Sequence, residues 1–221
     1  MMVIIQYNAG NIQSVRYALQ RIGAEATVTD DPALIRAADR VIFPGVGEAS
    51  TAMDYLKERG LDRVIRELTQ PVLGICLGMQ LMCRYSEEND TDCLGVFEES
   101  VRLFQPTGGF AAKPGGGAAV GAAPTDSALA EGPVTTLKVP QIGWNNIYDL
   151  STPLFDGLDK EPFVYFVHSY YASLGGHTIA TANYVQPYSA ALHRDNFYGV
   201  QFHPEKSAVV GERILQNFLS I

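Results

Sequence analysis

The 221 residues hold no long hydrophobic run, no cluster of lysine and arginine, a single tryptophan and only three cysteines. Each shortage removes a class of protein. No apolar stretch reaches the about 20 residues that a membrane-spanning helix needs. Residues 1–5 are too short an apolar run for a signal peptide and have no basic flank, so no membrane association is expected. Acidic residues outnumber basic ones 24 to 16, for a formal charge of -8, which opposes a phosphate-backbone partner; no nucleic acid is expected. Cys76, Cys83 and Cys93 are odd in number and lack C-x-x-C spacing. They predict neither a disulfide framework nor a cysteine zinc site, and they suit a reducing, cytoplasmic setting. Neither Tyr7-Asn-Ala-Gly-Asn11 nor Pro44-Gly-Val-Gly47 completes a G-x-G-x-x-G fingerprint. His168, His177 and His193 lie in contexts unrelated to His203 and Glu205, so the pair lacks a third ligand; no metal and no cofactor are expected.

What is present reads as one globular domain over residues 1–221, since 47% of the residues are hydrophobic and 18% charged. Apolar spacing predicts a strand over 3–6, a helix over 12–22 and a strand over 25–29. A short helix over 32–38 opens at Asp31, and a strand follows over 40–43. That alternation implies a parallel sheet with helices on its faces. Ser50 is expected to cap a helix over 51–59, a second helix covers 61–68, and an apolar strand runs from Pro71 into a helix over 77–85. Glu87-Glu88-Asn-Asp90 reads as a solvated loop. Residues 105–133 hold seven Gly, eight Ala and four Pro with almost no large apolar side chains, which predicts a flexible surface insertion. A linker between two domains is the other reading of that segment. In the Pro/Gly-bounded loop Val139-Pro-Gln-Ile-Gly-Trp-Asn145, Trp144 is either a core plug or an exposed anchor for a partner, and composition favours the plug. Strands are expected over 163–167, 178–183, 190–193 and 198–202, joining the first sheet and a small flanking one. A closing helix over 207–219 turns Ile214, Leu215 and Phe218 inward. The fold expected is α/β: a central mixed, largely parallel sheet with flanking helices and a nucleophile elbow.

The elbow is Gly74-Ile-Cys-Leu-Gly78. Glycines on both sides of Cys76 remove two side chains where a strand turns sharply into a helix, a geometry that exposes a nucleophile. Cys76 alone could equally be a buried core cysteine. The glycine-rich Pro44-Gly-Val-Gly47 ends a strand where open α/β sheets bind ligands. Its amides, with that of Leu77, are candidates for an oxyanion hole, although the loop taken alone reads as a plain turn. Far downstream, His203-Pro-Glu205 places a carboxylate two residues from an imidazole. A solvated strand end or a structural hydrogen bond would also explain that pair, but with the elbow it completes a Cys-His-Glu set. Cys76 attacks a carbonyl carbon, His203 carries the proton and Glu205 orients the imidazole.

The elbow followed by H-P-E resembles the class I glutamine amidotransferases. Tyr7-Asn-Ala-Gly-Asn11, Pro44-Gly-Val-Gly47, Gly74-Ile-Cys-Leu-Gly-Met-Gln80, Val139-Pro-Gln-Ile-Gly-Trp-Asn145, Phe166-Val-His-Ser-Tyr170 and Gly199-Val-Gln-Phe-His-Pro-Glu-Lys-Ser207 narrow the resemblance. They are similar to the glutaminase subunits of imidazole glycerol phosphate synthase. The resemblance implies hydrolysis of L-glutamine, with Gly45, Gln80, Ser169 and Tyr170 around the substrate and a Val46 or Gly47 amide in the oxyanion hole. It also implies a heterodimer with a cyclase subunit, Asn11 and Trp144 near that partner, and weak activity of the free subunit. The cyclase would receive ammonia through a protected channel, because ammonia released into neutral water is almost all ammonium and no longer nucleophilic. Two features depart from the pattern: Asn8-Ala9 replaces an expected Gly-Met, and residues 105–133 are longer and richer in Gly and Ala. Two other readings stand beside this one: a glutaminase subunit of an anthranilate or aminodeoxychorismate type synthase, and a redox or chaperone-like protein using an elbow cysteine without turnover. The loop at residues 44–47 and the Trp144 segment oppose the first, and the H-P-E opposes the second.

Overall fold

The computed structural model describes residues 1–7, 11–105 and 137–221. Asn8, Ala9 and residues 106–133 of the expected insertion lie outside them. In chain order the elements are β1 (Met2–Ile5), α1 (Ile12–Arg21), β2 (Thr27–Thr29), α2 (Pro32–Arg36), β3 (Arg40–Gly45), α3 (Ala49–Glu58), α4 (Leu61–Arg66), β4 (Val72–Cys76) and α5 (Leu77–Met82). Then come β5 (Tyr85–Ser86), β6 (Thr91–Asp92), β7 (Ser100–Leu103), β8 (Gln141–Asn146), β9 (Phe163–His168), β10 (Tyr170–Ala172), β11 (Thr178–Asn183), β12 (Pro187–Arg194), β13 (Phe197–Val200) and α6 (Ala208–Ser220).

Among the described residues one sheet runs β2-β1-β3-β4-β13-β12-β10-β7-β5-β6, with β11 also on β12. Its first five strands are parallel, and β13 turns antiparallel to β12. This is the mixed, largely parallel sheet that the alternation of elements predicts. Successive side chains of β1 go to opposite faces, as a strand requires. Ile4 packs with Val15 and Leu19 of α1 and Ile214, Leu215 and Phe218 of α6. Val3 and Ile5 pack on the other face with Ile35, Met53, Leu56 and Ile65. Each such buried side chain contributes on the order of 2 kcal/mol. Among the described residues no helix is long and apolar enough to cross a membrane.

The structure departs from the local reading in three places. Asp31 caps α2 as expected, its Oδ1 accepting the Ala33 N–H at 2.8 Å, but Ser50 does not cap α3. That helix opens two residues earlier, at Ala49, whose N–H donates to Glu88 Oε2 at 2.8 Å. Glu88 therefore leaves its expected solvated run to satisfy a helix terminus 39 residues away. The segment expected as a loop at 139–145 forms β8, paired antiparallel with β9 in a separate two-stranded ribbon. Only one face of that ribbon is covered: Val164 and Phe166 are buried, whereas Ile142, Trp144 and Phe163 face outward. Trp144 is 54% exposed, so it is no core plug.

Candidate active site

The carboxyl ends of β3, β4 and β13 lie side by side, with Gly45 opposite Cys76 and Val200 opposite Ile75. Three segments distant in sequence therefore meet at one edge: Val46-Gly47, Cys76 and the residues leading to His203. The Cys76 backbone is at φ 53° and ψ -111°, a sharp turn rarely adopted by a residue with a side chain. Gly78 makes that turn possible, because a Cβ there would fall 1.8 Å from the Phe43 carbonyl oxygen. The elbow helix thus packs directly on the backbone of β3. Cys76 lies on the wall of a cavity of about 290 Å³.

Behind Cys76 sits a fully buried His203. Its Nδ1 donates to Glu205 Oε1 at 2.7 Å, and its Nε2 is buried with no hydrogen-bond partner among the described residues, the Cys76 thiol being close enough to act on its charge. Burial pushes the imidazole pKa down, but Cys76 and Glu205 outweigh it and raise it to about 10. The segment is held from two sides. The His203 N–H donates to the Tyr165 carbonyl at 2.9 Å, and Ser207 Oγ donates to the His203 carbonyl at 2.7 Å while accepting the Tyr165 N–H at 3.0 Å. The β9 backbone thereby fixes where the imidazole points.

The cavity wall brings together Val46, Gly47, Gln80, Ser169 and Tyr170 with the cysteine. Gly45 and Leu77 are not on it. Gly45 is the last residue of β3, pressed against the Tyr7 hydroxyl, and the Leu77 side chain is buried in the core as its amide opens α5. Asn11 and Trp144, both expected near a partner, separate. Trp144 is on the outward ribbon face, while Asn11 Nδ2 donates to Glu205 Oε1.

Three residues of the site escape the sequence reading. Glu88 lines the cavity, and burial raises its carboxyl pKa against the lowering effect of the Ala49 N–H. His168 also lines it, its Nδ1 donating to the Tyr170 carbonyl at 2.7 Å. Burial lowers the His168 pKa to about 4, with a small further push from His203. Gln201 is fully buried beside Cys76, its Nε2 3.7 Å from the sulfur. Two of the three had a sequence signal: Gln201 lies two residues before His203, and His168 lies beside Ser169 and Tyr170. A larger depression of about 750 Å³ at residues 148–161 contains neither cysteine nor histidine and is remote from this chemistry.

A buried cysteine at an elbow, an imidazole–carboxylate pair behind it and a small cavity in front are the groups that thiol acyl transfer requires. The chain belongs to the glutamine amidotransferase class-I family, whose sequence profile matches residues 3–221. Within that family its relatives carry a narrower name. It is 52% identical, over 99% of its length and 98% of the relative's, to the imidazole glycerol phosphate synthase subunit HisH of Bacteroides fragilis. Identity is 49% over the same shares to the subunit HisH of Bacteroides thetaiotaomicron. In three dimensions it is similar to a crystal structure of a glutamine amidotransferase, with a TM-score of 0.67 and 18% identity over 99% of this chain and 97% of that one.

Proposed function

We propose that this chain hydrolyses L-glutamine to glutamate and ammonia as the glutaminase subunit of an imidazole glycerol phosphate synthase in histidine biosynthesis. The observation that carries the reading is the convergence of Cys76, His203 and Glu205 from the ends of two adjacent strands behind one amino-acid-sized cavity. The Cys76 sulfur forms a bond to the side-chain amide carbon of glutamine, and the imidazolium of His203 holds the thiol proton. Charge then develops on the amide oxygen, facing an amide of Val46 or Gly47 and that of Leu77. As the C–N bond breaks, His203 passes its proton to the nitrogen and ammonia leaves. Water next attacks the thioester with its proton going to His203, the C–S bond breaks, and glutamate departs from the regenerated thiolate. Gln80, Ser169 and Tyr170 would orient the substrate, and the Glu88 carboxylate offers a counter-charge to its ammonium group.

The ammonia would pass to a cyclase subunit, which combines it with a phosphoribulosyl-type imidazolecarboxamide intermediate to give imidazole glycerol phosphate and AICAR. Ile142, Trp144 and Phe163 form an exposed apolar stripe on the ribbon, and Val167, paired with Ile142, lines the cavity. Such a stripe is a docking surface beside the site of release. Three unbridged thiols suit a cytoplasmic heterodimer.

Intact mass after treatment with a glutamine-like electrophile tests the nucleophile. Wild type should gain one adduct that Cys76→Ala does not. The His203→Ala variant, in complex with the cyclase, should lose glutamine-dependent synthesis and retain synthesis from added ammonia. Absence of any wild-type adduct, with or without the cyclase, would overturn the reading.

A further inference from the structure

Gln201 is fully buried, follows the last residue of β13, and takes no part in the mechanism above. Its amide has one orientation only. The Tyr170 carbonyl accepts from Gln80 Nε2 at 2.9 Å, which fixes the Gln80 amide with its nitrogen toward Gln201. The same Gln80 Nε2 donates to Gln201 Oε1 at 2.9 Å. With its oxygen committed to Gln80, Gln201 presents its nitrogen to Cys76, at 3.7 Å from the sulfur. Turning that amide over would set two NH₂ groups against each other and leave a buried carbonyl unpaired. Carbonyl, Gln80, Gln201 and sulfur therefore form a directed chain of donors ending on the nucleophile.

We infer that Gln201 is a catalytic residue for the proposed reaction: a fixed N–H donor that stabilises the Cys76 thiolate, both before attack and when the sulfur is expelled from the thioester. The sulfur carries full negative charge at those two moments and little in between. A donor aimed at it thus lowers both steps without tightening the acyl-enzyme. Gln201 Nε2 is the side-chain amide that reaches the sulfur among the described residues, independently of His203. The other titratable groups that bear on Cys76 are the buried Tyr7 hydroxyl and Glu205, the latter through His203. The inference rests on Cys76 being the nucleophile.

The test is the pH dependence of Cys76 alkylation by iodoacetamide, which needs no glutamine pocket. The thiolate sulfur bonds to the methylene carbon, the C–I bond breaks and iodide leaves, so the rate follows the thiolate fraction. Peptide masses separate Cys76 from Cys83 and Cys93. Gln201→Met keeps the volume and removes the donor. Its alkylation midpoint should rise by about one pH unit, slowing the reaction about tenfold below both midpoints while leaving the high-pH plateau unchanged. Gln201→Glu can still accept from Gln80 but sets an oxygen against the sulfur, and should raise the midpoint further. Midpoints unmoved in both variants, or a plateau that falls with no change of midpoint, would overturn the inference. If the glutamine-like electrophile failed to label wild-type Cys76, the nucleophile reading beneath it would fall instead.

Discussion

His203 and His168 are both buried beside the same cysteine pocket, yet their basicities are displaced in opposite directions, up to about 10 and down to about 4. Burial acts alike on both, against the charged form; the partners decide the outcome. His203 meets the Glu205 carboxylate at 2.7 Å and the Cys76 thiol. His168 meets the Tyr170 carbonyl, the Tyr188 hydroxyl at 3.4 Å from its Nε2, and the rings of Phe104, Phe166 and Tyr188, whose centroids lie 5.4 to 5.5 Å away. One imidazole is therefore cationic at neutral pH and able to carry a proton, whereas the other is a neutral piece of wall. His203 itself helps keep His168 neutral, so the contrast is partly self-made.

Glu205→Gln is the sharpest way to break it. Without the carboxylate, His203 keeps its burial and loses the ionic partner 2.7 Å from its Nδ1, and its basicity should fall toward that of His168. On the proposed mechanism glutamine turnover drops on the order of 10³-fold. Synthesis from added ammonia by the complex with the cyclase should be unaffected. Glutamate release measured beside ammonia-driven synthesis checks both halves. Turnover within about tenfold of wild type would show that His203 works without its carboxylate.

A smaller effect sits on the neutral histidine and appears in stability. The unfolded chain protonates His168 near pH 6.5, the folded one only near pH 4. Between those values the unfolded state binds more protons, so stability falls as pH falls through that window and levels off below it. The shift corresponds to about 3 kcal/mol. Denaturant unfolding of wild type and His168→Gln at pH 7 and pH 4.5 should show a shallower loss in the variant by most of that amount. Other titrating groups cancel in the difference. Equal losses in the two proteins would mean that His168 is charged in the folded state.

The two histidines also show which parts of the molecule are legible in sequence. The parallel half was readable because its signals are local: apolar spacing within β1, α1 and β3, the Asp31 cap and the glycines around Cys76. His203 and Glu205 were readable because two residues of spacing already create the pairing. The rest depends on what arrives from elsewhere. His168 is neutral because Phe104 and Tyr188, from other segments, join its strand neighbour Phe166 in burying it, which no window around residue 168 reveals. Glu88 sits in an acidic run that looks solvated, and only the approach of α3 gives it an amide to accept. Gln201 acquires a direction because Gln80 reaches it from α5. Trp144 was misread because a lone tryptophan is usually buried. Its strand is an inverted alternation, with Gln141 buried and Ile142 and Trp144 outside, and that inversion marks a ribbon with one open face.

The smallest effect refines the His203 side. Asn11 Nδ2 and His203 Nδ1 both donate to Glu205 Oε1, while Oε2 is buried without a partner among the described residues. Asn11 thus draws off part of the carboxylate charge that His203 would otherwise feel. Its backbone is left-handed at φ 76° and its side chain makes no cap bond to α1. Asn11→Gly therefore removes the amide with little backbone strain. Freed of that competing donor, Glu205 should hold the His203 proton more tightly. The alkaline limb of the glutamine-turnover profile should then move upward by about half a pH unit, with maximal turnover reduced by about tenfold at most. Weaker association with the cyclase and an unmoved alkaline limb would instead make Asn11 a contact residue, the role proposed for Trp144, and would leave Glu205 and the cysteine as the whole cause of the difference between the two histidines.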